Sequence, residues 1–301
     1  MNFLMLLLLA FFSFCNGRII TITNNCGFNI WPGILTSEST GPGTGGFFLA
    51  STKSVTLSVA NNWSGRIWAR TNCTFNEANV GSCATGSCGN ALNCSVSGTP
   101  PTTLAEFTLQ GGGNQDFFDL SQVNGYNVPM AIFPNSTNTV TSKTPICQWD
   151  NSGLLENSED LQTIVLDQCP DALLFQYEDN PAAGCIDACD RFLNSSFCCT
   201  GPNNTAATCG PTPYSKIFKA LCPNAYSFPF DDPSSTFTLP SESTVSYEVA
   251  FCPGINPYDF ERWLIVVHGS TDIKNGSVRL SMVRNIWLLE VIVTMALVAG
   301  L

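Results

Sequence analysis

The chain has 301 residues, a formal net charge of −11, fifteen cysteines and a single histidine. The negative charge repels phosphates and no basic stripe runs along the chain, which excludes a nucleic-acid partner. One imidazole, His268, lies far from every cysteine cluster and leaves no Ser-His-Asp or Cys-His arrangement, and neither a P-loop nor a dinucleotide fingerprint occurs. Any chemistry therefore falls to carboxylates, and no cofactor is expected.

Met1–Phe14 (MNFLMLLLLAFFSF) is apolar and uncharged, of the length of a signal-peptide core and too short to span a bilayer. Cys15 and Gly17 are small residues at cleavage-site positions, so residues 1–17 read as a signal peptide and the mature chain starts near Arg18. Export changes how the cysteines are read. Cys15 leaves, fourteen remain, and an even number in an oxidising compartment implies seven disulfides rather than a metal site.

Arg18–Thr23 alternates as a strand does, and further strands are expected at Phe47–Leu49, Ser54–Val59 and Gly65–Thr71. In the last of these Arg66, Trp68 and Arg70 share one face, Ile67 and Ala69 the other. Cys73–Cys94 has few large hydrophobes and four cysteines, so it reads as a loop lobe stapled by local bridges. The stretch Thr102–Met130 organises the rest. Leu104, Glu106, Thr108 and Gln110 fall on one face of a strand, and Ala105, Phe107 and Leu109 on the other. Gly111-Gly112-Gly113 breaks the run, Asp116–Leu120 resumes it, and Asn124-Gly125 marks the next turn. Glu106 and Asp119 thus sit on neighbouring strands beside bulky apolar residues. Carboxylates are seldom buried alone, so these two are expected to line a groove, the competing reading being a pair of solvated surface charges.

Ala131–Asp160 is polar and weakly patterned, and no element is assigned there. Ile186–Leu193 reads as a short helix, and Pro213–Leu221 as a better one, with Tyr214, Ile217, Phe218 and Leu221 on one face. Strands at Thr236–Leu239 and Val245–Phe251 precede Cys252. Many short strands between turn signals predict a mainly β chain, a β-sandwich or flattened barrel. The terminal apolar run Ile286–Leu301 falls short of the roughly 20 residues of a spanning helix and contains Glu290. A discarded GPI signal fits better, with Asn275, Gly276 and Ser277 as the attachment site and Val278–Asn285 as spacer. The competing reading is a disordered or unusual tail.

The segments GRIWARTNC (65–73), GSCATGSCGNALNC (81–94), PPTTLAEFTL (100–109), DFFDLS (116–121), YNVPM (126–130), CCTG (198–201), CGPTPYSKIFKALCPNAYSF (209–228) and DDPSSTFT (231–238) occur in order. Through them the chain resembles the thaumatin-like family, plant pathogenesis-related group five, over Arg18–Pro253. The resemblance implies a β-sandwich with a small disulfide lobe (about 72–100), a larger one (about 147–228) and an acidic cleft between sandwich and larger lobe. Residues 254–277 would form a stalk and 278–301 the hydrophobic C-terminal signal. The family's Arg-Glu-Asp-Asp-Asp set falls on Arg66, Glu106 and Asp119. Asn124 stands where the family carries a further aspartate, and the last falls on Asp231 or Asp232. The family usually carries sixteen cysteines, and the absence of two implies a Cys147–Cys222 bridge. The remaining pairs implied by the family are Cys26–Cys252, Cys73–Cys83, Cys88–Cys94, Cys169–Cys185, Cys189–Cys198 and Cys199–Cys209.

The resemblance also implies a secreted or cell-surface defence protein, monomeric, that binds β-1,3-glucan-type polysaccharide in the cleft and acts against fungi. A weak endo-β-1,3-glucanase is the first alternative, with Glu106 as acid and Asp119 as base or nucleophile. The second is a protein-binding module directed at a fungal enzyme or a receptor. A sugar ligand suits the residues, because acidic and amide groups exchange hydrogen bonds with hydroxyls. Phe117, Phe118 and Tyr126 would add stacking faces where exposed, at least two of the three being core. Hydrolysis asks for carboxyl groups about 5–5.5 Å or about 6.5–9.5 Å apart, one of them with a raised pKa. Among seven Asn-x-Ser/Thr sequons, Asn62, Asn135, Asn194 and Asn203 are glycosylation candidates, with Asn135 and Asn194 in polar loops foremost.

Overall fold

The computed structural model describes residues 17–37, 42–135, 144–149, 158–178 and 180–254. The apolar run Met1–Phe14, His268, the triplet Asn275-Gly276-Ser277 and the terminal run lie outside the described residues. Among the described residues no helix is long and apolar enough to cross a membrane.

In chain order the strands are β1 (Arg18–Asn24), β2 (Trp31–Thr36), β3 (Lys53–Val59), β4 (Ser64–Phe75), β5 (Gly81–Thr85), β6 (Leu104–Gly111) and β7 (Gln115–Ser121). They continue with β8 (Met130–Asn135), β9 (Ile146–Cys147), β10 (Leu174–Tyr177), β11 (Asn180–Cys185), β12 (Ala225–Tyr226), β13 (Phe237–Pro240) and β14 (Ser246–Phe251). The helices are α1 (Ser158–Gln168), α2 (Ala188–Phe192), α3 (Ser195–Cys198), α4 (Pro213–Leu221) and α5 (Asp232–Ser235). One sheet has the order β3-β1-β14-β8-β9, and the other β12-β7-β6-β4-β2, with β13 also on β7 and β5 on β4. Each order runs from edge to edge without closing, so the chain is a β-sandwich.

Alternation builds the sandwich. Ile20 and Ile22 of β1 are buried, and the parallel pairing with β14 sets them beside Tyr247 and Val249. On the second sheet Ile67, Ala105 and Leu120 form one inward row across β4, β6 and β7. Phe107 and Phe118 pack against Tyr247 across the interface, with ring centroids 5.4 and 5.3 Å apart. Fully burying side chains of this size is worth about 1.5–3 kcal/mol each.

The outward face of the second sheet is only partly covered. Trp68 and Leu104 form a separate buried cluster with Cys88 and Cys94 under the small lobe. Arg70 ties that lobe down by donating to the carbonyls of Trp31, Pro32, Ala91 and Leu92 at 2.8–3.2 Å. What stays open is the row of Arg66, Glu106 and Asp119. Bridges Cys73–Cys83 and Cys88–Cys94 hold the small lobe. The larger lobe carries Cys147–Cys222, Cys169–Cys185, Cys189–Cys198 and Cys199–Cys209, and Cys26–Cys252 clamps the ends of β1 and β14.

Several expectations are corrected. Phe47–Leu49 is no strand: Leu49 makes an isolated bridge to Ile30, and Phe47 N donates to Pro32 O at 3.3 Å. The stretch Ala131–Asp160, expected to be featureless, contains most of β8, a strand interior to the first sheet, together with β9 and the start of α1. Ala131 and Ile132 are buried on both faces of β8, so the strand shows no polar alternation. Part of the small lobe is a strand, β5, paired with β4 from Thr71 to Phe75. The helix expected at Ile186–Leu193 is shorter, α2, capped by Asp187 and ended by Leu193 in the left-handed region.

Candidate functional site

Register assembles the site. Arg66 on β4 lies opposite Glu106 on β6, which lies opposite Asp119 on β7, so three charged side chains stand in one row across adjacent strands. The outer edge of β7 is shared: β13 pairs with Gln115–Phe118 and β12 with Leu120 and Ser121, which leaves Asp119 at the gap between them. The connection from β12 through α5 forms the facing wall. The result is a groove of about 650 Å³ lined by Thr36, Ser37, Ser64, Arg66, Glu106, Thr108, Phe117, Asp119, Val123, Asn124, Tyr226, Pro229 and Asp232, among others.

A turn sets the lip of the groove. Gly125 donates to Gln122 O at 2.9 Å and holds φ +86°, a left-handed conformation that glycine adopts freely. A Cβ there would sit 2.4 Å from Cys185 O, because Tyr126 and Cys185 exchange backbone hydrogen bonds at 2.8 Å. The turn is thereby pinned to the larger lobe, and Asn124 faces the groove. Asn127 locks the next residues by donating to Ala69 O and Thr85 Oγ1 while accepting from Thr103 N.

The electrostatics are uneven along the row. Arg66 Nε lies 3.7 Å from Glu106 Oε1, the two side chains being 38% and 33% exposed. Burial pushes Glu106 up from its ordinary value and Arg66 opposes the shift. Asp119 is pushed up to about 8, first by burial and then by the charges of Glu106 and Asp232, with Arg66 opposing. Its Oδ1 is buried without a hydrogen-bond donor. Both carboxyls are thus pushed up, and Glu106 is the one with the Arg66 cation directly beside it.

The two terminal aspartates separate. Asp232 lines the groove and accepts from Tyr226 Oη at 3.0 Å. Asp231, the other candidate for that cleft position, belongs to the loop that frames the groove. Its carboxylate accepts from Ser227 N at 3.1 Å, Ser227 Oγ at 2.9 Å and Ser234 Oγ at 3.1 Å, and pairs with Lys219 at 3.0 Å. Of the three aromatics, Phe118 and Tyr126 are core, and only Phe117 borders the groove. Sequence reasoning missed Tyr226 and the hydroxyls of Thr36, Ser37, Ser64 and Thr108. Ser64 and Thr108 were findable in principle, since they extend the alternating face of Arg66 and Glu106. Asn135 and Asn194 are exposed, though Asn194 also caps α3 by accepting from Ser196 N.

Comparison with known proteins gives one family. The family model described as the Thaumatin family matches residues 24–253. Pathogenesis-related thaumatin-like protein 3.5 of Cryptomeria japonica is 41% identical over 252 residues, 82% of this chain and 96% of the relative. Pathogenesis-related protein 5 of Arabidopsis thaliana is 42% identical over 233 residues, 77% of this chain and 89% of the relative. A Prunus avium protein named glucan endo-1,3-beta-glucosidase is 38% identical over 245 residues, 80% of this chain and 93% of its own. With the family pattern spanning nearly the whole described sandwich and its lobes, the chain belongs to the thaumatin family.

Proposed function

We propose that the groove binds a β-1,3-glucan-type polysaccharide, and that the protein is a secreted or cell-surface defence protein acting against fungi. The observation that carries the reading is the row of Arg66, Glu106 and Asp119 in a groove whose lining includes the hydroxyls of Thr36, Ser37, Ser64 and Thr108 and the amide of Asn124. Such a surface offers donors and acceptors to neutral sugar hydroxyls. The donor-short oxygen of Asp119 is what a hydroxyl hydrogen would satisfy. Phe117 supplies an apolar edge for a sugar face. The names of the Cryptomeria and Arabidopsis relatives support the defence role.

Slow endo-glucanase activity is the second reading. A carboxyl raised to about 8 opposite a second carboxyl supports it, as does the name of the Prunus avium relative. Directly opposed residues on antiparallel strands have Cβ atoms about 4.5–5.5 Å apart, which favours the closer, retaining arrangement of carboxyls. Asp119 would protonate the leaving oxygen and Glu106 would attack as nucleophile.

Retention on insoluble β-1,3-glucan and reducing-sugar release from laminarin separate these readings. Binding is expected in the wild type and weakened in Glu106→Gln. Release abolished by Asp119→Asn selects the enzyme. Neither retention nor release would overturn both and point to a protein partner.

A further inference from the structure

The C-terminal end of α2 carries an exposed apolar surface. Phe192 closes that helix and is 40% exposed, and Leu193, which follows in the left-handed conformation, is 82% exposed. The Phe192 ring sits against those of Phe197 on α3 and Tyr214 on α4, with centroids 5.6 and 5.3 Å away, and these two are themselves 5.7 Å apart. Ile217, one turn beyond Tyr214 on α4, is exposed as well. A single exposed apolar side chain needs no explanation, but a contiguous group built around three rings asks for an occupant.

The sequence places an attachment point inside this patch. Leu193 and Asn194 alone link α2 to α3, and Asn194 opens the sequon Asn194-Ser195-Ser196. The exposed amide of Asn194 is divided between two uses. Its Oδ1 accepts from Ser196 N at 2.9 Å and Ser196 Oγ at 2.8 Å, which caps α3 and fixes the side chain, and its Nδ2 is uncommitted among the described residues. Nδ2 is the atom that carries an N-linked sugar, so the cap and a glycan use opposite ends of one amide. Asn203, in a neighbouring sequon, is the contrast: it is half-buried, and its Nδ2 donates to Ser195 Oγ at 3.3 Å. Chain geometry supplies the reach. Consecutive Cα atoms are about 3.8 Å apart, so the Cα of Asn194 lies within about 7.6 Å of that of Phe192. Phe197 follows three residues later, across the single turn of α3. The C–H face of a sugar packs on such rings, whose faces carry the negative end of the ring quadrupole.

We propose that Asn194 is N-glycosylated and that the first sugar lies over the Phe192 ring, so that the chain's own glycan covers the patch. In the transfer, the bond between sugar C1 and a lipid-linked diphosphate breaks and C1 bonds to Nδ2. One amide hydrogen leaves as a proton, and the lipid diphosphate is the leaving group. The proposal rests on the reading of the chain as an exported protein and is independent of what the groove binds.

The test uses the full chain expressed in plant cells. Releasing the glycans with a peptide N-glycosidase in heavy-oxygen water converts each glycosylated asparagine to a labelled aspartate, and peptide mass mapping is expected to find the label at Asn194. The aspartate still caps α3, so the same treatment isolates the loss of the sugar. That loss is expected to lower the Tm of the wild type by about 2–4 °C more than that of Phe192→Ala, contributions from glycans elsewhere cancelling in the comparison. A readout on the wild type guards against a misfolded variant: nuclear Overhauser contacts are expected between the N-acetyl methyl of the first sugar and the Phe192 ring protons. Exported protein with Asn194 bare would overturn the site. Occupancy with equal losses of Tm in the two proteins, or without those contacts, would overturn the packing and leave the patch to a partner protein. Protein retained in the cytosol would overturn export and the glycan together.

Discussion

Asp116 and Asp119 stand on the same strand, β7, and their odd spacing sends them to opposite faces of one sheet. Asp116 points into the sandwich, where neither it nor its partner Arg18 is more than 1% exposed. Arg18 donates to it, Tyr247 Oη donates to Oδ2 at 2.7 Å and Gln110 N donates to Oδ1 at 2.9 Å. Burial by itself would raise its pKa, but these donors together with Ser241 hold it below the usual carboxylate value. Asp119 faces the groove and is pushed up to about 8 among two other carboxylates and with one oxygen lacking a donor. Burial pushes both carboxyls up; the donors around Asp116 reverse the sign there, and Asp119 is short of them. The inner aspartate is satisfied by the chain itself. The outer one keeps one oxygen without a donor.

The largest expected effect comes from breaking the inner pair. Asp116→Ala leaves the Arg18 guanidinium buried without its partner and should cost about 3–5 kcal/mol in urea unfolding of the oxidised protein. The mirror-image change in the groove should reverse the balance of effects. Glu106→Gln should weaken glucan retention about tenfold while unfolding stability stays within about 1 kcal/mol, because its partner Arg66 is half in solvent.

The pH dependence sharpens the contrast. Asp119 holds its proton in the folded chain up to about 8 and releases it near 3.8 when unfolded, so between these values the native state binds the extra proton. Stability should then fall as pH rises from about 4 to about 8, and Asp119→Asn should flatten that slope. Asp116 has the opposite sign: its contribution is present above its unfolded value and is lost as pH falls through its lowered folded pKa. The smallest effect separates the adjacent aspartates. Asp231→Asn should cost up to about 1 kcal/mol through Lys219 with glucan binding unchanged. Asp232→Asn should leave stability alone and lower the pKa of Asp119.

Much of this contrast was legible before the fold. Period-two alternation located β1, β3, β4, β6 and β7 and set Glu106 and Asp119 on neighbouring strands, because one face of each is buried and the other wet. The even cysteine count gave the number of bridges, but spacing alone did not give their partners. β8 was invisible because MAIFPN is apolar without alternation. The helix α1 was missed because only Leu161 and Val165 mark its buried side within a polar stretch. The choice between Asp231 and Asp232 turns on Lys219 arriving from α4, a long-range contact with no local signature.

The account turns on the two β7 aspartates being held in opposite protonation states. Carboxyl 13C chemical shifts followed against pH in the intact protein read both at once. The account predicts that Asp119 titrates at about 8, that Glu106→Gln moves it down, and that Asp116 stays ionised below 3.8. Asp119 titrating near 3.8, or unmoved by the loss of the Glu106 charge, would contradict it.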